Sequence, residues 1–269
     1  NQVQFKDELI KKKFPPNSGF EATYHFNLQQ SIPKNLSVVI ECPDLYKIFC
    51  NDVEVKAEPN EWRFDRAFGK INLSKTAKIG ENKIQIVASP MTMEHELEPA
   101  YLLGDFSLEP AGKGFVVVSP KPLTLNPGGD ADLPQLGWNR QGMPFYADKV
   151  EYSRKFNVQK TSAAKRCFVK FDDWYGATAQ ITVNNKHAGY VVSAPWQIDV
   201  TEILEEGENE IAVIVYGTPK NLFGPHHCGQ LRGQAWPRHF QSAPEHQPNG
   251  TAYDTIGYGL FAPFELIAK

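Results

Sequence analysis

Two stretches of this 269-residue chain follow the same order of segments, and that internal repeat constrains the fold more than any other feature. The first copy starts at Tyr24-His25-Phe26-Asn27-Leu28 and passes through a strand and a turn at Asn51 to Ile71-Asn72-Leu73. It then reaches Gly80-Glu81-Asn82, followed by the alternating run Lys83–Val87. The second starts at Tyr152–Val158 and passes through a strand and a turn at Asn184 to Ile198-Asp199-Val200-Thr201. It then reaches Gly207-Glu208-Asn209, followed by Glu210–Val213. The copies are expected to end alike, Gly104–Glu109 matching Pro263–Ile267. The shared order, with drifting loop lengths, argues that one domain has been duplicated.

The repeated units are read as strands. Tyr24–Leu28, Leu36–Ile40, Lys83–Val87 and Phe115–Val118 in the first half are short, alternating or rich in β-branched residues. So are Cys167–Phe171, Ala179–Val183, Gly189–Val192 and Glu210–Val215 in the second half. Such runs, separated by turn residues, predict antiparallel sheets with one buried face. Asn51-Asp52 and Asn184-Asn185 suit tight hairpins, because Asn and Asp tolerate the left-handed backbone. Only Ala67–Leu73 and Thr201–Leu204 suggest a turn of helix. The expected architecture is all-β, with two tandem β-sandwiches at residues 1–112 and 113–269. The Pro/Gly-rich stretch Pro120–Asp132 lies between Phe115–Val118 and Trp138. It reads as an ordered surface loop of the second sandwich, with a flexible linker as the alternative.

Charge and motif content narrow the function. Lys and Arg total 28 against 31 Asp and Glu, a net charge of −3, so no basic surplus exists to hold a phosphate backbone and nucleic acid is not an expected partner. No apolar run approaches the roughly 18 residues of a membrane-spanning helix. The four cysteines form no CxxC pair; Cys42 and Cys50 fit one disulfide or two buried thiols equally well. There is no GxSxG, HExxH or phosphate-binding Gly-Lys loop.

The remaining chemistry sits in loops. Asp172-Asp173 reads as a solvated pair, since adjacent strand residues point to opposite faces; a calcium contact is the second reading. His226-His227 reads as a hydrogen-bonded loop pair. A metal site there needs a further ligand such as His239 or His246. Aromatic residues carry more signal. Trp138, Arg140, Gln141 and Tyr146 fall in one loop, and Trp174 with Tyr175 in another. Trp236, His226 and His227 lie in the long segment 217–262, which holds four of the seven histidines. An aromatic ring beside amide, guanidinium or imidazole groups suits a sugar, with its apolar C–H face and rim of hydroxyls. A loop tryptophan also serves to close the end of a sandwich core; Trp196 reads mainly that way.

The second half resembles the sugar-binding, galactose-binding-like β-sandwich of glycoside hydrolase family 2. It resembles more closely the terminal region of family 106-type α-L-rhamnosidase-like proteins of Bacteroidetes. The segments that carry the likeness are Trp138–Tyr146, Asp173–Gly176, Val183–Gly189, Ala194–Thr201, Gly207–Glu210 and Lys220–His227. Residues 1–110 match only as a diverged second copy. The resemblance implies two tandem galactose-binding-like jelly rolls. It implies a non-catalytic carbohydrate-binding or ancillary region of a larger bacterial glycoside hydrolase. Its partners would be carbohydrate and the catalytic domain of the same parent chain, in the periplasm or at the cell surface. No cofactor is implied, and a structural calcium ion is left open. The family's catalytic carboxylates sit on a barrel, and no such pattern occurs here, so no catalytic residue carries over. Two alternatives stand beside this. One is a purely structural packing module. The other is an autonomous small hydrolase using Asp173, Glu245 or Asp254 with His226.

Overall fold

Along Gly80–Ala88 the side chains of Asn82, Ile84, Ile86 and Ala88 are buried and those between them are not. That period of two allows one sheet face to cover a core. The computed structural model describes residues 8, 10–125, 137–159, 166–229 and 235–269. It divides into two compact units, Asn1–Glu109 with Phe115–Pro120, and Pro110–Gly114 with Lys121–Lys269.

The first unit contains β1 (Phe20–Leu28), β2 (Ser37–Glu41), β3 (Lys47–Cys50), β4 (Val53–Val55), β5 (Trp62–Arg63), β6 (Asp65–Asn72), β7 (Gly80–Ala88), β8 (Tyr101–Leu103), β9 (Ser107–Pro110) and β10 (Phe115–Val118). One sheet has the order β4-β3-β7-β1-β10-β9, the other β5-β6-β2-β8. Val38, Ile40 and Ile71 from one sheet meet Ile48, Ile84 and Ile86 from the other in a single core. The second unit contains β11 (Lys149–Val158), β12 (Cys167–Lys170), β13 (Trp174–Tyr175), β14 (Thr178–Val183), β15 (Lys186–Val191), β16 (Gln197–Asp199), β17 (Gly207–Tyr216), β18 (Gly259–Leu260) and β19 (Glu265–Ala268). Its larger sheets run β11-β17-β14-β15 and β16-β12-β19. Both units are β-sandwiches, and among the described residues the chain is all-β apart from helical residues Glu8 and Ile10, a four-residue helix, Lys220–Phe223, and 3-10 turns.

The duplication is visible in the strand order. β4-β3-β7-β1 and β15-β14-β17-β11 are the same series, as are β6-β2-β8 and β16-β12-β19. It extends to single atoms. Asn82 Nδ2 donates to the carbonyls of Lys78 and Gly80, and its Oδ1 accepts from Lys78 N–H and Asn51 Nδ2. Asn209 Nδ2 donates to the carbonyls of Glu205 and Gly207, and its Oδ1 accepts from Glu205 N–H and Asn184 Nδ2. Both asparagines are fully buried. Gly80 and Gly207 have φ of 92° and 91° with no neighbour near a would-be Cβ, so glycine is needed there for conformation and not for space. The Gly-Glu-Asn signature is therefore a lock that ties the loop before the long central strand to the adjacent hairpin. Both hairpin tips adopt left-handed backbone, with φ of 50° and 69° at Asn51-Asp52 and 50° and 63° at Asn184-Asn185.

Three expectations are corrected. Ala67–Leu73 is not helical: it belongs to β6 and pairs with β2. Gly69 within it marks a close approach, since a Cβ there would sit 2.6 Å from Pro43 Cγ. The counterpart of β19 is β8 and not the Gly104–Glu109 segment, because Leu266 pairs with Val169 as Leu102 pairs with Val38. Phe115–Val118 joins the first unit's sheet, parallel to β1 through Leu28 and Val117. Thr201–Leu204 does hold one turn, closed by Leu204 N–H on the Val200 carbonyl at 3.1 Å. Of the stretch Pro120–Asp132, residues 126–132 lie outside the described residues; Leu123 and Leu125 pack on the second core. Cys42 and Cys50 are unbonded, the first exposed and the second buried.

Candidate functional site

The loops singled out in the sequence converge on one segment of the second unit, Tyr253–Leu260. Asp254 N–H donates to the His226 carbonyl at 2.7 Å. Asn139 Nδ2 donates to Thr255 Oγ1 at 3.0 Å. The fully buried Asn221 both accepts from Ile256 N–H and donates to its carbonyl, each at 2.8 Å. Trp138 N–H donates to the Tyr258 carbonyl at 3.0 Å. β18 then pairs Gly259 and Leu260 with Tyr175 and Trp174. This strap is drawn in tightly: a Cβ on Gly259 would stand 2.3 Å from Tyr152 Oη, and one on Gly137 would stand 2.5 Å from Gly257 Cα.

The strap sorts the aromatic residues into a closed layer and an open rim. In the closed layer Tyr258 stacks between Trp138 and Tyr175, with centroid distances of 5.8 and 5.5 Å, and Tyr146 meets Trp138 edge-on at 5.8 Å. Trp138 is 1% exposed, and its indole N–H donates to the Tyr146 carbonyl at 3.3 Å. That burial makes Trp138 a core residue, so a sugar-facing ring must be sought among those that stay partly open. Trp174 and Trp196 pack edge-on at 5.3 Å beside Phe171 and flank the same core. Arg140 is exposed. Gln141 accepts Thr124 N–H and returns a bond to its carbonyl. Asn139 Oδ1 is buried without a hydrogen-bond partner among the described residues.

The open rim consists of Phe145, His226, His227 and Tyr253. Their ring centroids lie 4.7 to 5.8 Å apart along the contacts His227–Tyr253, Phe145–His226, Phe145–Tyr253 and His226–Tyr253. His226 Nε2 lies 2.7 Å from the Asn221 carbonyl, so it carries the proton and Nδ1 presents a lone pair. Burial, helped by the Lys220 and His227 charges, holds His226 below the usual imidazole pKa. Burial likewise lowers Lys220, whose ammonium donates to the Pro225 carbonyl at 2.8 Å. Asp254 Oδ2 accepts Gly229 N–H at 2.6 Å. The rim thus sets ring faces beside both donors and acceptors.

His239 Nδ1 accepts Trp236 N–H within its own turn. Trp236 is 60% exposed. Asp173 and Glu245 are exposed, and no hydrogen bond joins either to Asp254 among the described residues. Among those residues no group of three His, Cys, Asp or Glu side chains is placed to hold a metal ion. No helix there is long and apolar enough to cross a membrane. Phe145, Asn221 and Tyr253 were missed as site residues, although Asn221 and Tyr253 lie in the long aperiodic segment that signalled function.

No known family model matches the sequence, and no curated protein matches it. Solved structures that are similar to it include a rhamnosidase from Novosphingobium sp. PP1Y, 17% identical over 94% of this chain and 22% of that one, with a TM-score of 0.35. The α-L-rhamnosidase of Streptomyces avermitilis, complexed with L-rhamnose, is 13% identical over 95% of this chain and 26% of that one, with a TM-score of 0.33. The β-glucuronidase of Bifidobacterium dentium is 19% identical over 61% and 28%, with a TM-score of 0.32. These proteins are glycosidases. The chain spans about a quarter of the length of each.

Proposed function

We propose that this chain is a non-catalytic carbohydrate-binding region of a larger glycoside hydrolase, acting in the periplasm or at the cell surface. The observation that carries the reading is the rim of Tyr253, His227, His226 and Phe145, where partly open rings stand beside Lys220 and Asp254. A pyranose ring needs an apolar plate and, around it, groups that both donate and accept. Isothermal titration with rhamnose- and galactose-containing oligosaccharides tests this. The expected result is binding that Tyr253→Ala removes. Absence of heat with every glycan sinks it, as does turnover of an aryl-glycoside that Asp254→Asn abolishes.

A second reading is favoured by a different observation. Trp236, Phe240 and Phe223 are 60%, 51% and 43% exposed in the same long segment. Exposed large apolar side chains in one loop suit burial against another domain. If this segment is a packing face, Trp236→Ala lowers the melting temperature of the full-length enzyme while leaving that of the isolated chain unchanged.

A further inference from the structure

The turn after β16 does the same structural work as the turn after β6, with one added group. In the first unit Ser74 N–H donates to Asn72 Oδ1 at 2.8 Å. In the second, Thr201 N–H donates to Asp199 Oδ1 at 2.9 Å. One oxygen serves that turn, and a neutral amide supplies it in the first unit. The second oxygen of Asp199 is engaged elsewhere: Oδ2 accepts from Arg166 Nε at 2.7 Å, with Nη2 also against it. The same guanidinium lies over the Phe168 ring, 5.2 Å from its centroid. Arg166 is thus held twice, although its side chain is 70% exposed. Fixing an exposed arginine costs side-chain entropy. The duplicated fold does not require that cost, since the first unit closes the same turn with an asparagine.

The facing wall comes from β15. Gly189 has φ 149°, a backbone conformation that side chains rarely adopt, and a Cβ there would crowd the Ile198 methyl across from it on β16. β15 sets His187 across from Asp199, Thr201 and Glu202 around a depression of about 350 Å³, which Arg166 also lines. That volume lies at the small end of ligand pockets and suits roughly one or two sugar rings. The tautomer of His187 follows from its neighbours. Tyr216 Oη donates to Gln180 Oε1 at 2.8 Å, which turns Gln180 Nε2 toward His187 Nδ1 at 3.2 Å. Nδ1 therefore accepts, and Nε2–H is left as a donor. The His187 ring lies 4.9 Å from that of Tyr190, which is 56% exposed.

One guanidinium against the carboxylates of Asp199 and Glu202 gives no positive surplus, so the chemistry does not select an anion. Fixed donors and an acceptor in the lining select a polyol, and the open Tyr190 ring stands next to His187, outside that lining. We propose that this depression binds one neutral monosaccharide unit of a glycan. Arg166 and His187 donate to its hydroxyls, Glu202 accepts from one, and Tyr190, beside His187, flanks it from outside the lining. Asp199 is the positioning residue for Arg166. The site shares no residue with the rim and goes beyond that reading.

The test is titration of the whole chain, by saturation-transfer NMR and calorimetry, with methyl α-L-rhamnopyranoside, methyl β-D-galactopyranoside and sodium D-glucuronate. A neutral glycoside is expected to bind, and Tyr190→Ala to weaken it. Arg166→Gln and Asp199→Asn should each weaken it about tenfold, the loss of one charge-assisted hydrogen bond. The double variant should weaken it no further, because Asp199 acts through Arg166. Asp199→Asn keeps the Oδ1 of the turn and loses only the bonds to Arg166, so the variant should still fold, with a melting temperature lowered modestly near neutral pH. Tighter binding of glucuronate than of either glycoside overturns the assignment. So does neutral-sugar binding that neither Tyr190→Ala nor Arg166→Gln weakens; if Tyr253→Ala removes that binding, the rim reading stands and this one falls. If no sugar binds at all, both fall.

Discussion

Asn209 satisfies four backbone or side-chain groups from a fully buried position, and Asn82 repeats every one of those bonds in the first unit. Truncating either to alanine strands buried polar groups that water cannot reach. We expect Asn209→Ala to lower stability by about 3 kcal/mol in urea denaturation. Titratable residues give a pH signature at the same scale. The hydroxyl and amide of Thr201, together with Arg166, hold the Asp199 carboxyl down from 3.8 to about 2. A lowered folded-state pKa means that the stabilisation is complete above about 3.8 and is lost as the pH falls through about 2. His226 is lowered by burial, so the unfolded chain takes up its proton first. Its contribution is complete above the ordinary imidazole value of about 6.5 and declines as the pH drops below it. Denaturation midpoints measured from pH 8 to 2 should therefore fall in two stages. Asp199→Asn should flatten the acid stage alone; a variant that leaves that stage intact would show that Asp199 is not its source.

At the scale of elements, the strap Tyr253–Leu260 organises one end of the second unit without being regular structure for most of its length. Gly259 has φ 117° and lies against Tyr152 Oη, so Gly259→Ala meets both backbone strain and a clash. We expect it to cost about 2–4 kcal/mol and to raise amide exchange at Trp174 and Tyr175, which pair with the strap. Unchanged exchange there would mean that β13 is held by something other than β18. The strands were legible because each announces its buried face within its own four to ten residues. The hairpins were legible because Asn-Asp and Asn-Asn must occupy left-handed backbone. Ala67–Leu73 was misread because Gly69 meets a residue far along the chain, Pro43, which no local pattern displays. The strap was illegible for the same reason: its bonds reach back 28 to 120 residues, to Asn221, His226, Asn139 and Trp138. Trp138 shows the limit for the site. Its neighbours Arg140 and Gln141 suggested a ligand face, but Tyr258, Gly217 and Gly259 close around its ring. His226 and His227 were legible as a pair; the Phe145 and Tyr253 rings beside them were not.

For the whole molecule, duplication has a thermodynamic consequence. The core of the first unit is built around Leu36, Val38, Ile71, Ile84 and Ile86, and that of the second around Trp138, Ile181, Ile211, Val213 and Phe264. The two clusters have no residue in common. Each unit also carries its own asparagine lock, so each has the parts of an independently cooperative domain. Differential scanning calorimetry should then resolve two transitions. Asn82→Ala should lower one of them and Asn209→Ala the other, each by roughly 9–12 °C if the loss is about 3 kcal/mol in a domain of this size. Trp138→Ala, which empties a buried indole volume, should move only the transition that Asn209→Ala moves, by a similar or larger amount. A single transition shifted equally by all three substitutions would mean that the units unfold as one body. The repeat would then record only the history of the chain and not its present cooperativity. The same experiment bears on the two proposed sugar sites, because both lie in the second unit. A saturating neutral glycoside should raise only the Asn209-sensitive transition, by an amount that follows the logarithm of its concentration.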